Sequence, residues 1–498
     1  MKRILLKTSV YCSICIIFIV VFLSCKNSGG IDNNIVNGET GRVVDSIMQL
    51  NHENGFSGYV FIIKENEIIY SKGFGYSDKE LLITIDKSTV FDIGSLTKQF
   101  TAAAILKLEM EGKLSVSNTL STFFSDIPED KKDINIHQLL THTSGFRWGT
   151  GDEYEVLNKE AMLKRAFSSE LESESGKEFN YSHMGYNILG AIIEEASGIS
   201  YEEYLNEKLF KPAGMKNTGY IIPVWDNEKI SHGYTQNKDW GKPTDHPWSD
   251  KGPYWNFHAS GGILSTPEDM FKWDKALKTN KILSEDVKER FFMAHVSRGD
   301  RRSPYGYGWS VFSSRRNTTG VVHNGGNGKF FNELMRYIDD EVTIYVCSNN
   351  APRGVSDLSD EIANILFTEN HTPKTSIIKV ITSTEVPDNI KGDRIRRFLS
   401  LNESSDKSIM KKFISNNCSE YLIEKHSIDS LTSFMKFYYR RTGTTEIKRI
   451  DMIGENRSDI YLYSTNKNMW YKLIFWYTHD ENKLVNAINF NRTDPIEE

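Results

Sequence analysis

The stretch Asp92-Ile93-Gly94-Ser95-Leu96-Thr97-Lys98-Gln99-Phe100 places a hydroxyl and an amine three residues apart, immediately before an apolar segment. That segment, residues 101–112, contains no proline and ends at a glycine, as is typical of a helix with a glycine C-cap. Residues i and i+3 of a helix share a face, so the Ser95 hydroxyl and the Lys98 amine are expected within hydrogen-bond reach of each other. The start of a helix favours negative charge at Ser95, and burial disfavours a proton on Lys98. The pattern predicts a serine nucleophile that is activated by a lysine.

The composition is that of an ordinary globular protein. The chain has 498 residues, of which 39% are hydrophobic and 25% are charged. Domains usually contain roughly 100 to 200 residues, so two or three domains are expected. The formal net charge of −6 at pH 7 gives no reason to expect nucleic acid as a partner.

The first 25 residues differ from the rest of the chain. Three basic residues precede an apolar run over residues 10–23, which is the pattern of a secretion signal covering residues 1–24. The end of this run, Phe22-Leu23-Ser24-Cys25, is similar to a bacterial lipobox, in which Cys25 would receive the lipid. Phe22 stands where leucine is commoner, so an uncleaved membrane anchor is the alternative. Both interpretations predict an exported protein of the cell envelope, in the periplasm or at the cell surface, attached to a bacterial membrane.

The five cysteines do not predict a disulfide framework. Cys12 and Cys15 would be lost with the secretion signal, and Cys25 would carry the lipid. Cys347 and Cys418 remain and lie in different predicted domains, so we expect two free buried thiols, with a single disulfide as the alternative.

The pattern of the mature chain indicates a large domain and a small one. We predict a tether over residues 26–39, a large domain over 40–370, a linker over 371–388 and a small α+β domain over 389–498. In the large domain the expected strands are 58–64, 68–73, 308–312, 321–324, 332–338 and 342–347, with a mainly helical section between the second and third strands. In the small domain the expected helices are 393–413 and 428–439, and the expected strands are 446–453, 459–463, 469–477 and 484–491.

The Ser-x-x-Lys spacing is a weak pattern by itself, because it occurs at five further places. These are Ser376/Lys379, Ser404/Lys407, Ser408/Lys411, Ser433/Lys436 and Ser464/Lys467. Ser95 is distinguished by further stretches elsewhere in the chain. They are Leu139-Leu140-Thr141-His142-Thr143-Ser144-Gly145, Tyr181-Ser182-His183-Met184-Gly185-Tyr186-Asn187-Ile188-Leu189-Gly190, Ala259-Ser260-Gly261-Gly262-Ile263-Leu264-Ser265-Thr266, Tyr307-Gly308-Trp309 and His323-Asn324-Gly325-Gly326.

Together with the Ser95 stretch, and in this order, these segments resemble the serine β-lactamase and penicillin-binding protein family. The resemblance covers most of residues 58–367 and is strongest to the branch of class C β-lactamases, D-aminopeptidases and related esterases. It implies an α/β (α+β) fold, in which an antiparallel sheet is flanked by helices and accompanied by a helical subdomain. The active site would lie between the sheet and the helical subdomain.

The resemblance also implies a role for each matching residue. Ser95 would be the nucleophile and Lys98 its proton-accepting partner. Tyr181 would act as the general base in acylation and as the proton donor to the leaving group. The backbone N–H groups of Ser95 and Gly326 would form the oxyanion hole, and Gly325 would leave room beside the substrate. No metal ion and no cofactor are expected.

Two residues depart from the family pattern. His183 stands two residues after Tyr181, where the family usually has asparagine. A neutral His183 can still donate one hydrogen bond to a substrate carbonyl. His323, on an expected edge strand over residues 320–326, replaces the lysine of β-lactamases, and a histidine is mostly neutral at neutral pH. Both changes are expected to move substrate preference away from β-lactams.

Some of the matching residues have simple structural interpretations. Residues 141–144, including His142, are expected to hold loop backbone by local hydrogen bonds. Gly261 and Gly262 are expected to serve a close backbone approach, and Trp309 to lie in the core.

The sequence therefore predicts an exported, lipid-anchored serine hydrolase that forms an acyl-enzyme with an ester, peptide or amide substrate. A D,D-peptidase, a D-aminopeptidase and a weak β-lactamase are the alternative activities. A ligand-binding protein that kept the fold without catalysis is the alternative from another functional class. A small molecule or a peptide is the expected partner.

Overall fold

The computed structural model describes residues 31–152, 155–235, 238–250, 252–299, 303–401, 406–493 and 495. The predicted secretion signal, Cys25 and residues 26–30 of the tether lie outside the described residues. The chain divides into two compact units, Met1–Ser376 and Ile377–Glu498, which are described separately below.

The first unit contains a seven-stranded antiparallel sheet. Its strands are β1 (Ile35–Val36), β2 (Gly58–Lys64), β3 (Glu67–Phe74), β4 (Ser310–Ser313), β5 (Thr319–Gly326), β6 (Phe331–Tyr337) and β7 (Val342–Ser348). They are arranged in the order β1-β3-β2-β7-β6-β5-β4. Every residue of β7 is buried, because helices cover both faces at the centre of the sheet.

Helices of the first unit cover this sheet and form a separate helical section. They are α1 (Gly38–Glu53), α2 (Thr97–Met110), α3 (Ile136–Leu140), α4 (Lys159–Ser168), α5 (His183–Ser197), α6 (Tyr201–Leu205), α7 (Pro267–Leu277), α8 (Glu285–Phe292) and α9 (Leu358–Phe367). Shorter helical turns occur at Gly94–Leu96, Leu120–Thr122, Asn206–Phe210, Lys211–Ala213, Asn227–Lys229, Pro243–Asp245 and Val355–Asp357. Two-stranded ribbons pair Tyr76–Asp78 with Ile83–Thr84, Phe91–Asp92 with Leu264–Ser265, Gly233–Thr235 with Lys238–Gly241, and Trp248–Ser249 with Gly252–Pro253. The mixed fold with an antiparallel sheet flanked by helices agrees with the predicted fold class.

Helix α2 is the central helix of this unit. All of its residues from Thr97 to Leu106 are buried, and so is Leu108. Three consecutive alanines in this helix allow neighbouring elements to pack closely around it, and α5 lies against it. A helix that is buried all round carries no polar face, so its sequence shows no amphipathic pattern. The 3₁₀ turn Gly94–Leu96 leads directly into α2, which places Ser95 just before the helix and Lys98 in its first turn.

Strand β5 is not the edge strand that the sequence analysis expected. β4 lies outside it and pairs with β5 from Thr319 to Val322. Because β4 is only four residues long, His323 and the residues after it extend beyond that pairing. Among the described residues, His323 to Gly326 therefore have no strand paired with them on the β4 side, although β5 as a whole is not an edge strand.

The second unit is a small α+β domain with its own core. Its strands β8 (Val380–Ser383), β9 (Thr445–Ile453), β10 (Arg457–Ser464), β11 (Met469–Tyr477) and β12 (Val485–Thr493) form an antiparallel sheet in chain order. Its helices are α10 (Ile390–Leu399), α11 (Lys407–Asn417), α12 (Glu420–His426) and α13 (Ile428–Thr442). The four-stranded meander expected from the sequence corresponds to β9 to β12.

Two expectations for this unit were wrong. The single helix over residues 393–413 is two helices, because Asp406 caps a new helix by accepting a hydrogen bond from the Ser408 N–H. The predicted linker contains β8, which pairs with β9 from Val380 to Ser383. Val380 and Ile381 are 38% and 58% exposed, so this edge strand lacks the burial pattern by which strands are recognised in a sequence.

Cys347 and Cys418 are both buried free thiols, as expected. No helix among the described residues is both long and apolar enough to cross a membrane. Within the same residues, His, Cys, Asp and Glu side chains form no group of three or more that could hold a metal ion.

Candidate active site

Ser95 and Lys98 meet as the spacing predicted. The Lys98 side-chain nitrogen Nζ lies 3.1 Å from Ser95 Oγ and donates a second hydrogen bond to the Ser260 carbonyl at 2.7 Å. Lys98 has no exposed surface. A fully buried lysine whose amine is held against a serine hydroxyl can accept the proton of that hydroxyl when the serine attacks an electrophile.

Tyr181 completes a group of three polar side chains. Its hydroxyl hydrogen-bonds to Ser95, and the Lys98 Nζ lies 4.9 Å from the centre of its ring. Burial raises the pKa of Tyr181 above its usual value, although the Ser95 hydrogen bond and the positive charge of Arg298 act in the opposite direction. The resting site therefore holds Tyr181 as a protonated phenol, which is suited to donating a proton.

The backbone around Ser95 is held tightly against the end of β5. The Asp92 carboxylate accepts hydrogen bonds from the Gly94 N–H at 2.8 Å and from the Asn327 side chain at 3.1 Å. A Cβ atom added to Gly325 would lie 2.6 Å from the Ser95 nitrogen, and one added to Gly94 would lie 2.8 Å from the Gly326 nitrogen. Only glycine allows the two chain segments to approach so closely. The backbone nitrogens of Ser95 and Gly326 are thereby brought to the same place, as an oxyanion hole requires.

A cavity of about 380 Å³ opens in front of Ser95. It contains Tyr181, His183, His323, Gly325 and Gly326, so the predicted site residues other than Lys98 and Cys25 line one space. Lys98 lies behind Ser95, and Cys25 is outside the described residues. The other residues that line the cavity are Trp148, Phe257, Arg298, Tyr305, Ser310, Val322, Asn324 and Glu333.

Hydrogen bonds fix the state of His323. Its Nδ1 lies 2.7 Å from the Asn324 carbonyl oxygen, which can only accept, so Nδ1 carries the hydrogen. Its Nε2 must then accept the hydrogen bond from the Tyr305 hydroxyl, at 3.0 Å. Burial and the charge of Lys98 lower the pKa of His323 to about 3. His323 is therefore neutral at physiological pH, as the sequence analysis expected.

This chain of hydrogen bonds continues from Tyr305 to His142. Its Nδ1 accepts the Ser182 N–H at 3.0 Å, so its Nε2 carries the hydrogen and donates to the Tyr305 hydroxyl at 3.3 Å. Burial lowers the pKa of His142 well below its usual value. His142 thus holds loop backbone, as expected, and in addition supports the His323 side chain through Tyr305.

His183 begins α5, directly after the helix cap Ser182. Its Nδ1 lies 3.2 Å from the Ser260 hydroxyl, and its Nε2 has no hydrogen-bond partner among the described residues. Burial and the charge of Lys98 lower the pKa of His183 well below its usual value. One ring nitrogen of a neutral His183 is therefore left to meet a substrate.

Arg298 and Tyr305 are among the residues of the cavity that were not identified from the sequence. Arg298 lies over the rings of Phe179 and Tyr305 at 5.2 and 5.9 Å, and donates a hydrogen bond to Ser310 at 2.7 Å. No spacing pattern marks Arg298 in the sequence. Tyr305 stands two residues before the recognised Tyr307-Gly308-Trp309, and only this proximity could have indicated it. The cavity thus has a permanent cation, although His323 itself is neutral.

Comparison with known proteins agrees with this geometry. The sequence profile of the family described as Beta-lactamase matches residues 43–368. PbpX of Bacillus subtilis (strain 168), which bears a penicillin-binding protein name, is 31% identical over 298 residues, which make up 60% of this chain and 71% of that protein. The octameric penicillin-binding protein homologue from Pyrococcus abyssi superposes with a TM-score of 0.61 at 23% identity, and the match covers 89% of this chain and 97% of that one.

A D-amino acid amidase from Ochrobactrum anthropi SV3 superposes with a TM-score of 0.58 at 20% identity, over 67% of this chain and all of that one. Because both solved structures are less than 25% identical to this chain, they show only that the fold is similar. The family profile matches residues 43–368, which is most of the chain, and this match establishes the family. The chain belongs to the beta-lactamase family of serine hydrolases.

Proposed function

We propose that this protein cleaves an ester, peptide or amide bond through an acyl-enzyme on Ser95. The observation that carries the proposal is the contact of Ser95 Oγ with both Lys98 and the Tyr181 hydroxyl. In the proposed reaction Ser95 Oγ attacks the substrate carbonyl carbon and its proton passes to Lys98. Tyr181 donates its proton to the leaving group and regains one from Lys98.

The oxyanion that forms in this step would be bound by the backbone N–H groups of Ser95 and Gly326. One such donor lowers the barrier by about 3 to 4 kcal/mol in enzymes where it has been removed. Water then attacks the acyl carbon and releases Ser95. His183 Nε2 and the neutral His323 would contact the acyl donor near its carbonyl.

The experiment that tests this proposal is a turnover assay on a p-nitrophenyl ester, a D-amino acid amide, a peptide ending in D-alanyl-D-alanine and a chromogenic cephalosporin. We expect at least one substrate to be turned over, and Ser95→Ala to lower that rate by a factor on the order of 10⁴. Lys98→Met, which keeps the length of the side chain without its amine, should lower the rate comparably. Turnover that survives Ser95→Ala would refute the assignment, and no turnover of any substrate would favour the ligand-binding alternative.

Arg298 favours a second candidate, a peptidase or weak β-lactamase whose acyl donor carries a carboxylate. A lysine at position 323 would have supplied such a cation, and Arg298 supplies one to the same cavity. Arg298→Gln should then reduce turnover of the peptide and of the cephalosporin much more than turnover of the ester. An equal reduction for all three would leave the simple ester or amide substrate as the better proposal.

We also propose that the protein is exported and anchored by a lipid on Cys25. The basic start, the apolar run and the Ser24-Cys25 end of the first 25 residues support it. Metabolic labelling with a palmitate analogue should mark the wild-type protein and leave Cys25→Ser unmarked. Equal labelling of both proteins would contradict the anchor.

A further inference from the structure

A second and larger cavity lies in the first unit, away from Ser95. Its volume is about 1070 Å³, and none of its lining residues lines the catalytic cavity. It is formed by residues 156–160 at the start of α4, the end of α5, the start of α6 and residues 221–222, 249–250, 253–255 and 258. We call it the α5–α6 cavity.

The charge of the α5–α6 cavity is strongly negative. Lys159 is the only cation among the described residues that line it, and it is already paired with Glu194 at 2.9 Å and Glu195 at 3.5 Å. The carboxylates that line it are Glu160, Glu194, Glu195, Glu202, Glu203 and Asp250. One lysine does not neutralise this set, so the cavity attracts cations.

Two largely buried residues of the α5–α6 cavity, Glu202 and His258, each have an acceptor atom with no donor among the described residues. Glu202 is 6% exposed, and its Oε1 accepts the backbone N–H groups of residues 220–222 at 2.6 to 2.9 Å, which leaves Oε2 without a hydrogen bond. His258 is also 6% exposed. Its Nδ1 faces the Pro253 carbonyl oxygen at 3.4 Å and so carries the hydrogen, which leaves the lone pair of Nε2 without a donor.

The state of His258 is fixed by its surroundings. Its ring stacks on Trp255, with 4.6 Å between ring centres, and lies 4.8 Å from the ring of Tyr220. Burial lowers the pKa of His258 to about 4, so the ring is neutral at pH 7. A neutral imidazole acceptor and a carboxylate oxygen line the same cavity, and each can accept an N–H hydrogen bond from a ligand.

The walls of the α5–α6 cavity are apolar and aromatic. Ile199, Ile221 and Ile222 are 37%, 39% and 37% exposed, and Trp255 presents an indole ring. Aromatic faces attract organic cations and also cover the apolar body to which such a cation is attached. A metal ion would use neither feature.

We propose that the α5–α6 cavity binds a primary ammonium group carried on an apolar body, with Glu202 and His258 accepting its N–H hydrogens and Trp255 covering its apolar part. The site is independent of the Ser95 chemistry. The ammonium group belongs either to a free amine or to the lysine side chain of a peptide, and both present the same chemistry.

Isothermal titration calorimetry of the full chain tests this proposal, with benzylamine as the free amine and Nα-acetyl-lysine amide as the peptide-borne one. At least one of them should bind with one site per chain, and equally well to wild type and to Ser95→Ala. Benzyltrimethylammonium has the charge but no N–H, and benzyl alcohol has no charge. If benzylamine binds more tightly than Nα-acetyl-lysine amide, benzyltrimethylammonium and benzyl alcohol should both bind at least tenfold more weakly than benzylamine.

Binding measurements on substituted proteins test whether the amine binds in this cavity. Glu202→Gln keeps an oxygen for the three backbone N–H groups but removes the charge, and should weaken binding at least tenfold. His258→Phe keeps the aromatic packing but removes the acceptor, and should also weaken binding. Glu207→Gln removes a charge from an exposed residue outside the cavity and should change nothing. The proposal is overturned if neither amine binds, or if Glu202→Gln and His258→Phe both bind as tightly as wild type.

Discussion

Burial separates Ser95 and Lys98 from the five other Ser-x-x-Lys pairs of the chain. Lys98 is fully buried, whereas the lysines of the other pairs keep exposed surface: Lys379, Lys407, Lys411, Lys436 and Lys467. The Ser95 to Lys98 contact could be predicted from sequence because it depends on three-residue helical spacing. Which of the six pairs is buried could not be predicted from the spacing, and the surrounding family segments were needed to choose it.

Residues that reach the site from distant parts of the chain were harder to predict. Tyr181 and His323 were identified only because short stretches around them resemble a family. Arg298 and Tyr305 carry no such stretch, and they come close to Ser95 only because the sheet and a loop bring them there. A spacing pattern depends only on local geometry, so it does not indicate contacts that form through tertiary folding.

The hydrogen bonds of Tyr305 lead to a prediction about stability. The Tyr305 hydroxyl donates to His323 and accepts from His142, and all three groups are buried. Tyr305→Phe leaves one buried acceptor and one buried donor unsatisfied, which costs about 1 to 3 kcal/mol for each group. The free energy of unfolding, measured by urea titration, should therefore fall by roughly 2 to 6 kcal/mol.

Tyr307→Phe is the matched control for this prediction. The Tyr307 hydroxyl makes one hydrogen bond, to His137 at 2.8 Å, at a partly buried site. Its removal should lower the free energy of unfolding less than Tyr305→Phe does. An equal or larger loss for Tyr307→Phe would contradict the assigned network of His142, Tyr305 and His323.

Among the secondary-structure elements, the six strands predicted for the sheet of the first unit agree with the observed strands to within two residues at each end, and the two-residue β1 was not predicted. The expected strand 332–338 is Phe331–Tyr337, and 342–347 is Val342–Ser348. Buried strands are runs of apolar residues, which a sequence displays directly. β8 was missed because its side chains are largely exposed. The break between α10 and α11 was missed because the helix cap at Asp406 was not recognised.

The contact between β5 and the turn that holds Ser95 predicts the effect of a single methyl group. In Gly325→Ala the new Cβ would lie 2.2 Å from the Ile93 carbonyl oxygen and 2.6 Å from the Ser95 nitrogen, so β5 must move away from the turn. Displacing the Gly326 N–H from the oxyanion hole should lower kcat/KM at least about 100-fold. The measurement is steady-state turnover of whichever substrate proves active.

Gly185→Ala in α5 is the control for this substitution. Its new Cβ would meet its nearest atom at 3.6 Å, an ordinary van der Waals distance, and alanine is a better helix former than glycine. We expect its kcat/KM to stay within a few-fold of wild type. If Gly325→Ala retained activity equal to that of Gly185→Ala, the close approach of β5 to Ser95 would not matter for catalysis.

The whole molecule consists of two units, each with a core of its own. The sequence predicted a large and a small domain joined by a linker over residues 371–388, which has Pro373 and Pro387 near its ends. The boundary after Ser376 falls within the predicted linker, but the segment is held in place: His371 bonds to Glu361 and the Ser376 N–H to Asn51. A linker-like sequence does not show whether the side chains and backbone groups of the segment form hydrogen bonds with the neighbouring domain.

The buried histidines predict that the protein loses stability in mild acid. The pKa values of His142, His183, His258 and His323 are all lowered by burial. In the unfolded chain they titrate near pH 6.5, so below that pH the unfolded state binds more protons than the folded state. Stability is therefore fully present above about pH 6.5 and falls toward pH 4, by up to about 1.4 kcal/mol per pH unit for each histidine.

Urea titrations at pH 7.5, 6 and 5 measure this dependence. His323→Gln removes one titrating group and leaves a side chain that can still accept from Tyr305. Between pH 6 and pH 5 the variant should lose about 1 kcal/mol less than wild type. His426→Gln, at an exposed site, should lose as much as wild type. Parallel losses for wild type and His323→Gln would show that His323 is not held neutral in the folded state.

Ser95 is proposed here as the nucleophile of an acyl-enzyme. Mass spectrometry of the intact protein after reaction with a fluorophosphonate tests it most directly, followed by mapping of the modified peptide. We predict one adduct per chain, located on Ser95, absent from Ser95→Ala and formed much more slowly in Lys98→Met. An adduct of equal yield on Ser95→Ala, or one located on another residue, would contradict the assignment of Ser95 as the nucleophile.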